Sequence, residues 1–323
     1  MKANSLVALL GLILSLPIWL VGCSNPNQNL VRIAINPWPG YEFLHLAQAK
    51  GFFKQAGLNI ELVEMASLAD VQRVYIQGRA DGLASTIIEA VHAAGNTQEP
   101  LAIVHIPDYS NGGDIILAHN SINSVKDLKG KKIGAEIGSL GMYILSLALD
   151  KNGLHLSDVE ILNVEQLAGE QAMLNREIDA FVTYPPFSSA IQQHEQFKEI
   201  LTSAELPGDI IDSIALRASV LQDKPKWAAK FLKVWDKTLA YANKNKTEAY
   251  EIMAAREGIS SAEFEDALSG LQLLSAKESQ KSLASNNLSR NIDKVCQTLA
   301  SANTIEFSCS NINDLLLPYL VKE

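Results

Sequence analysis

Short runs of β-branched and other apolar residues alternate, over the first two thirds of the chain, with longer segments in which apolar residues recur every three or four positions. The short runs predict strands and the longer segments predict amphipathic helices. The predicted strands cover residues 32–36, 60–63, 82–85, 101–106, 114–118, 132–135, 159–164 and 179–183. The predicted helices cover residues 43–55, 68–78, 140–152 and a segment around Gln171. Such alternation is typical of α/β layers built on largely parallel sheets.

The pattern changes near residue 224, after which only helices are predicted. They cover residues 226–243, 247–256, 261–270 and 312–320. A helical tail that follows two βα-rich stretches predicts a chain that builds one lobe, crosses to a second lobe and returns to complete the first.

The first two dozen residues have the pattern of an export signal. Lys2 precedes an apolar run over residues 6–20, which is short for a membrane-spanning helix. The tetrapeptide at 20–23 resembles the bacterial lipobox, in which the cysteine receives a diacylglycerol group and the peptide before it is removed. We therefore expect residues 1–22 to be a lipoprotein signal peptide, Cys23 to be lipidated, and residues 23–30 to tether the protein to the extracytoplasmic side of a bacterial membrane, in the periplasm. The alternative is that Cys23 is a chance cysteine behind an ordinary cleavable signal.

Charge and cysteine content exclude some classes of function. The chain carries 27 basic and 36 acidic residues, without the basic block or stripe that predicts nucleic-acid binding. With Cys23 lipidated, Cys296 and Cys309 are the remaining thiols, and in an oxidising compartment they either form one disulfide or stay free. Because no third thiol and no histidine stand at ligand spacing, we expect no metal site and no cofactor.

The loop after the first predicted strand is the strongest candidate for ligand recognition. It reads Asn-Pro-Trp-Pro-Gly-Tyr-Glu over residues 36–42 and leads directly into a helix. Ligands of open α/β sheets bind outside the carboxyl ends of the strands, which is where this loop lies. Trp38 and Tyr41 offer flat faces with polar edges, and the two prolines stiffen the loop. We expect both aromatics to line a pocket, although Trp38 capping the hydrophobic core is an alternative.

The same region begins a resemblance to a known family. Motifs at 47–57, 78–82, 108–114, 125–134, 138–139, 178–180 and 184–187 follow in the order seen in solute-binding proteins of the nitrate, sulfonate and taurine type, which include thiamin-precursor binders. The resemblance spans most of residues 31–220 and implies a type II periplasmic binding protein fold, in which two α/β lobes joined by two crossing strands close on a small ligand. It further implies a monomer that hands its ligand to an ABC permease. Lobe one would comprise 30–117 plus 207–323 and lobe two 118–206, with 114–118 and 210–216 near the crossings.

Further ligand contacts are predicted at strand ends and helix starts. Gly138-Ser139 and Ser85-Thr86 each open a helix, where backbone amides attract anions, although a plain N-cap is the commoner use of such residues. The polar segment 108–114 is either a turn or a loop that approaches the cleft. The complete candidate set is Trp38, Tyr41, Glu42, Ser85, Thr86, Asp108, Asn111, Gly112, Asp114, Gly138, Ser139 and Tyr184.

The acids among these candidates bear on the ligand's charge. Nitrate and sulfonate sites need amide, hydroxyl and cationic donors, whereas carboxylates favour a ligand with an amine or amidine. The acids in question are Glu42, Asp108, Asp114 and Glu136. Arg73 and Arg79 are expected in solvent. We therefore expect a small organic ligand with donor groups, such as a planar nitrogen heterocycle stacked between Trp38 and Tyr184, with a sulfonate as the alternative.

Two other functions remain open. Some relatives of the family are pyrimidine-synthesising enzymes with a cofactor-binding lysine, a histidine and a cysteine cluster for iron. This chain lacks the cysteine cluster, and neither Gly-x-Ser-x-Gly nor His-Glu-x-x-His occurs, so we expect no enzyme activity. A lipid-anchored binding protein can also report its ligand to a membrane sensor, and the sequence does not separate that role from transport.

Overall fold

Two β-sheets with helices packed around them organise residues 30–321, which are the residues that the structure, a computed structural model, describes. The predicted signal peptide, Cys23 and most of the tether lie outside the described residues. The strands are β1 (Leu30–Ile35), β2 (Asn59–Glu64), β3 (Gly82–Thr86), β4 (Leu101–His105), β5 (Asp108–Ser110), β6 (Ile115–His119), β7 (Lys132–Ala135), β8 (Glu160–Asn163), β9 (Ala180–Thr183), β10 (Phe197–Thr202), β11 (Asp212–Arg217), β12 (Leu271–Leu273) and β13 (Leu316–Pro318).

Most of the remaining residues are helical. The α-helices are α1 (Glu42–Ala49), α2 (Phe52–Gln55), α3 (Leu68–Ile76), α4 (Ile87–Thr97), α5 (Leu140–Lys151), α6 (Gln166–Leu174), α7 (Phe187–Gln192), α8 (Ala218–Asp223), α9 (Trp227–Lys244), α10 (Lys246–Glu257), α11 (Ser261–Ser269), α12 (Ala276–Leu283), α13 (Asn286–Ser301) and α14 (Ile312–Leu315). None of the helices within 30–321 combines the length and the apolar character needed to span a bilayer.

The first sheet has six strands in the order β13-β4-β11-β3-β1-β2, and the second has five in the order β10-β6-β9-β7-β8. Strands β1, β2 and β3 are parallel, as are β7, β8 and β9. By contrast, β11 runs antiparallel to both β3 and β4, and β6 runs antiparallel to β9 and β10. After the first crossing, β6 is the first strand that joins the second sheet, and after the return crossing, β11 is the first strand that rejoins the first sheet. The sheets are therefore mixed, and less parallel than the sequence pattern predicted.

The chain crosses between the sheets twice, after β4 and after β10. All residues of β6 from Ile115 to Ala118 pair with β9, so this crossing lies before Ile115, a few residues ahead of the predicted boundary at 117. Strand β5, which lies on the first crossing, pairs with β12 of the helical tail. The carbonyl of Gly270 extends this contact by accepting hydrogen bonds from the backbone N–H groups of Asn111 and Gly113 at 2.8 and 3.1 Å. The crossing segment is thus held by the C-terminal part of the chain.

Two predicted helices differ in the structure, and some elements were not predicted. The helix predicted over 43–55 is broken between α1 and α2, because Gly51 adopts a left-handed backbone with φ of +67°, which glycine tolerates. The helix predicted over 312–320 ends at Leu315, after which the apolar residues Leu316 and Leu317 pair with β4 at the sheet edge. Helices α12 and α13 and strand β12 were not predicted. The buried face of α13 repeats at helical spacing, with Leu288, Ile292, Val295, Cys296 and Leu299.

The two remaining cysteines are bonded in the structure. Cys296 of α13 forms a disulfide with Cys309, with the Cα atoms 5.8 Å apart. The bond ties α13 to the short segment that precedes α14.

Candidate ligand-binding cavity

A small cavity lies between the two sheets, where the ends of strands from both sheets face each other. It offers the centre of a water-sized sphere only about 10 Å³, room for about one water molecule and far below the roughly 300–1,000 Å³ of common small-molecule pockets. The residues that line it are Asn36, Trp38, Tyr41, Leu68, Thr86, Asp114, Leu140, Tyr184 and Asp212. A small organic ligand fits this space only after the walls move apart. Residues at the ends of β1, β3, β6, β9 and β11, or next to those ends, supply most of the wall.

Trp38 and Tyr184 form the aromatic part of this wall. Their rings meet edge to face, with centroids 6.0 Å apart and planes at 80°. The predicted stack of a heterocycle between the two rings is therefore not the arrangement seen, because parallel stacking on both faces needs parallel rings. A planar ligand can stack on one ring while its edge meets the other.

The loop that carries Trp38 packs tightly against the segment after β4. The indole Nε1 of Trp38 donates a hydrogen bond to Oδ1 of Asp108 at 3.3 Å. A Cβ atom on Gly40 would lie 2.1 Å from Oδ2 of the same carboxyl. Only glycine fits at this position, so the loop and Asp108 approach as closely as the backbone permits.

Four buried acidic residues, Glu89, Asp108, Asp114 and Asp212, lie in or behind the cavity wall and are called the acidic cluster below. Asp114 and Asp212 line the cavity, whereas Asp108 and Glu89 contact lining residues from behind. Each is at most 2% exposed. Among residues 30–321, no ion pair involves any of the four. Both carboxylate oxygens of Asp114 and one each of Asp108 and Asp212 lack a hydrogen-bond partner. Buried carboxyls without a cation or sufficient donors resist ionisation.

The pKa values of the cluster follow from this burial. Desolvation raises the pKa of Asp108 to about 7 and that of Asp114 to about 8. The pKa of Asp212 is raised well above its usual value, first by burial and then by the charge of Asp108. Tyr41 donates a hydrogen bond from its hydroxyl to Oδ1 of Asp212, which opposes that rise. At neutral pH the empty cavity therefore keeps protons that a bound cation would displace.

Glu89 is held differently, since it accepts hydrogen bonds from two helix starts. Oε2 accepts from the N–H and hydroxyl of Thr86, the N-cap of α4, at 3.2 and 2.5 Å. Oε1 accepts from the Ser139 hydroxyl at 2.8 Å and from the Leu140 N–H at 2.9 Å, at the start of α5. Ser139 does not cap its own helix through its side chain. Ser139, a predicted ligand contact, thus donates its hydroxyl hydrogen bond to Glu89.

The predicted contacts divide into three groups. Those that line the cavity are Trp38, Tyr41, Thr86, Asp114 and Tyr184. Those that contact a lining residue or a cluster carboxyl from behind are Asp108, Ser85 and Ser139. Those that lie away from the cavity are Glu42, Asn111, Gly112 and Gly138.

The last group has other roles. Glu42 is buried beside Arg256, whose Nε donates to it at 3.1 Å, so this carboxylate belongs to a pair between α1 and α10. Asn111 and Gly112 lie on an outer groove beside Gly270, and the N–H of Gly112 donates to the hydroxyl of Ser203 at 2.6 Å. The carbonyl of Gly138 accepts from the Gln72 side chain at 3.0 Å. The sequence placed these residues near the cavity because they neighbour lining residues in the chain.

The sequence did not single out Asn36, Leu68, Glu89, Leu140 and Asp212. Asn36 follows β1 directly and donates a hydrogen bond to the Tyr184 hydroxyl at 3.4 Å. Asp212 opens β11, and its only signal was a polar residue at the start of an apolar strand. Arg73 and Arg79, expected in solvent, are exposed. Within the described residues, no group of three or more histidine, cysteine, aspartate or glutamate side chains is arranged to hold a metal ion.

A model of the NMT1/THI5-like family matches residues 38–249, more than half of the chain. The chain belongs to the NMT1/THI5-like family. The resemblance that the sequence motifs indicated is therefore confirmed, and the matched segment includes every residue that lines the cavity except Asn36.

Several members of the NMT1/THI5-like family or of its relatives are similar in sequence. A binding protein of Brucella abortus is 26% identical over 44% of this chain, and the match spans 45% of that protein's length. An aliphatic sulfonates-binding protein of Bacillus subtilis is 25% identical over 72% of this chain and 71% of its own. A 4-amino-5-hydroxymethyl-2-methylpyrimidine phosphate synthase of Schizosaccharomyces pombe is 28% identical over 42% of this chain and 39% of its own.

The fold is that of periplasmic binding proteins. The aliphatic sulphonate binding protein SsuA of Escherichia coli superposes with a TM-score of 0.75 at 15% identity, over 89% of this chain and 97% of that one. The predicted type II periplasmic binding fold is thereby confirmed for this NMT1/THI5-like chain.

Proposed function

We propose that the chain is the solute-binding protein of an ABC importer and that its ligand is a small organic molecule with an amine or amidine, such as a nitrogen heterocycle. The acidic cluster carries this proposal. Two of its buried carboxyls, those of Asp114 and Asp212, line a cavity whose lining contains no basic side chain, and the other two lie behind the wall. A cationic or donor-rich ligand would compensate the burial of these groups, whereas an anion would face them without a partner.

A sulfonate is the second candidate, and the names of the B. subtilis and E. coli proteins favour it. Anion sites in proteins use cationic side chains or free backbone N–H groups. The two arginines considered from the sequence, Arg73 and Arg79, are exposed, and Arg73 pairs with Asp70 at 2.6 Å. The chemistry of the wall therefore supports the cationic ligand over the sulfonate.

Transport is proposed from the fold and the sequence together. The cavity lies between two sheets joined by two crossings, so ligand binding would stabilise a closed arrangement that a permease can recognise. We assign 30–114 plus 207–323 to lobe one and 115–206 to lobe two, which moves the predicted boundary at 117 to the start of β6. A lipid anchor at Cys23 would keep this monomer near its membrane partner, on the extracytoplasmic side.

Two alternatives are kept beside transport. A sensor role would use the same cavity, and an adjacent gene for a membrane-bound sensor enzyme, without genes for a permease and an ATPase, would favour it. The synthase from S. pombe represents an enzymatic alternative. The sequence opposes catalysis, because two of the three cysteines, Cys296 and Cys309, are bonded to each other and the third is the predicted lipidation site.

Calorimetric titration with ions of matched shape tests the proposed ligand class. Guanidinium and nitrate are both planar and trigonal, and benzamidine and benzenesulfonate share a ring of the same size. We expect the cation of each pair to bind at least tenfold more tightly. Asp114→Asn should remove most of this preference, while Asp209→Asn, which changes an acid outside the cavity, should retain it. Tighter binding of nitrate, benzenesulfonate or taurine would contradict the proposal.

A further inference from the structure

The amino-terminal ends of two helices from opposite sheets meet at one carboxylate. Helix α4 follows β3 of the first sheet, and α5 follows β7 of the second. Each helix start carries unpaired N–H groups and the positive end of a helix dipole. Two such ends directed at one point form an arrangement that attracts a negative charge.

In this chain the side chain of Glu89 occupies that point. Burial raises the pKa of its carboxyl, and the hydrogen bonds from Thr86, Ser139 and Leu140 oppose that rise by favouring the ionised form. The side chain is completely buried and is held by four donors, two from Thr86 and two from the start of α5. The contact with Thr86 is a capping box within α4, a common device at the start of a single helix. The contact with Ser139 and Leu140 is additional, because those residues belong to the other sheet. Capping of α4 alone does not require it.

We infer that Glu89 acts as a built-in anion, which occupies the site between α4 and α5 that an anionic group of a ligand would otherwise take, and so determines that the cavity excludes sulfonates, sulfate and similar anions. This inference rests on the proposed function and deepens it. The acidic cluster explains why a cation is attracted, and Glu89 explains why an anion finds no free donors. The same carboxylate joins the two sheets beside the cavity.

Removal of the side chain should therefore free donors for an external anion. In Glu89→Ala the Ser139 hydroxyl, the Leu140 N–H and the Thr86 hydroxyl lose their common acceptor, and the space of a carboxylate is left beside them. Glu89→Gln keeps the space filled. Asp114→Ala removes an acid from the same cavity without freeing a helix start, because neither oxygen of Asp114 has a hydrogen-bond partner.

The test is calorimetric titration of the full protein with sulfate at constant ionic strength and pH 6, below the pKa of about 8 of Asp114. We expect Glu89→Ala to bind sulfate at least tenfold more tightly than the wild-type protein, Glu89→Gln and Asp114→Ala. No gain in Glu89→Ala would overturn the inference. An equal gain in Glu89→Gln would also overturn it, because loss of the carboxylate without opened space would then suffice. An equal gain in Asp114→Ala, whose carboxyl is protonated at pH 6, would overturn it as well, because space opened elsewhere beside the cavity would then suffice.

Folding of the variant is checked by circular dichroism in chloride and in sulfate. If Glu89→Ala folds only in sulfate, the inference is supported, and if neither salt restores the fold, it is overturned. The proposed function is tested separately by binding of guanidinium and benzamidine to the wild-type protein. A wild-type protein that binds neither cation, together with a Glu89→Ala variant that gains sulfate, would refute the cationic ligand and leave the role of Glu89 intact.

Discussion

The indole nitrogen of Trp38 donates its hydrogen bond to Asp108, 3.3 Å away, and both side chains are buried. The bond joins the loop after β1 to the start of β5, on the crossing between the sheets. The position of the aromatic wall therefore depends on an acid that does not itself line the cavity. Replacement of either residue therefore leaves the other without this hydrogen-bond partner.

Replacement of Trp38 by alanine tests the aromatic wall. The variant loses the ring surface and leaves Asp108 without its donor, so we expect benzamidine to bind more than about tenfold more weakly. Trp38→Phe keeps a ring but has no hydrogen-bond donor, so its affinity for benzamidine should lie between those of the wild-type protein and Trp38→Ala. Trp227→Phe is the matched control, because Trp227 is buried against Phe231 outside the cavity. Calorimetry measures the affinities, and an unchanged affinity in Trp38→Ala would remove this residue from the site.

Cation binding should depend on pH. The pKa values of Asp108 and Asp114 are raised to about 7 and 8, so both carboxyls are mostly protonated at pH 5 and lose their protons as the pH rises to 9. A cation prefers the ionised carboxyls, and guanidinium itself keeps its charge over this range. Its affinity should therefore rise with pH, by up to about tenfold per pH unit for each carboxyl that must ionise. Calorimetry from pH 5 to 9 measures this, and an affinity that falls with pH would contradict the ligand class.

The stability of the ligand-free protein should show the cost of ionising Asp114. Its pKa in the folded state is about 8 against 3.8 when exposed, so between these values the unfolded chain is ionised and the folded chain is protonated. Within this window the free energy of unfolding falls as the pH rises, on the order of 1 kcal/mol per pH unit. Asp114→Asn cannot ionise, so its stability advantage over the wild-type protein should grow from pH 4 to pH 8. Urea unfolding at several pH values measures the difference.

Asp158→Asn provides a control of opposite sign. The pKa of Asp158 is lowered by a hydrogen bond from the His155 N–H and by Lys129, so its ionised form stabilises the folded chain above its usual pKa. This variant should be less stable than the wild-type protein at neutral pH, and the difference should vanish as the pH falls. Parallel profiles for the two variants would show that burial in the cavity is not the cause.

Loss of the disulfide should destabilise the fold without a change in affinity. Cys296 and Cys309 are 13 residues apart, and closing a loop of this size stabilises a protein by about 3 kcal/mol in the chain-entropy model. The double variant Cys296→Ser and Cys309→Ser should unfold at lower urea concentration by about that amount. Its affinity for benzamidine should equal that of the wild-type protein, because neither cysteine lines the cavity. A large loss of affinity would show that the C-terminal segment acts on the cavity.

The fold was largely predictable because strands such as β4 and β6 consist almost entirely of apolar residues, and helices such as α5 and α9 have apolar faces at helical spacing. The failures lie where tertiary contacts decide. The sequence pattern places Leu316 and Leu317 at the end of a helix. In the structure they form a strand that pairs with the edge of β4. Helix α13 was missed although its apolar residues repeat at helical spacing, and its contacts with both α4 and α5 depend on the tertiary fold.

The cavity was partly predictable for a related reason. Trp38, Tyr41, Thr86 and Tyr184 follow strands directly, and strand ends meet at one edge of a sheet. Asp212 was not predicted because β11 runs antiparallel to β3. The beginning of β11, rather than its end, therefore reaches the cavity. Glu89 was not predicted because its capping box with Thr86 is by itself a sufficient reason for a glutamate at this position. Its contacts with α5 depend on how two distant segments come together.

The hydrogen bonds from Asn111 and Gly113 to the carbonyl of Gly270 link the crossing to a residue beyond the segment 38–249 that the family model matches. Affinity in a two-lobed binder depends on the fraction of molecules in the competent arrangement as well as on the contacts made. Two proteins with identical cavity walls can therefore differ in affinity through the stiffness of this crossing alone. For this chain, the C-terminal helices provide a means of tuning ligand capture that leaves ligand chemistry untouched.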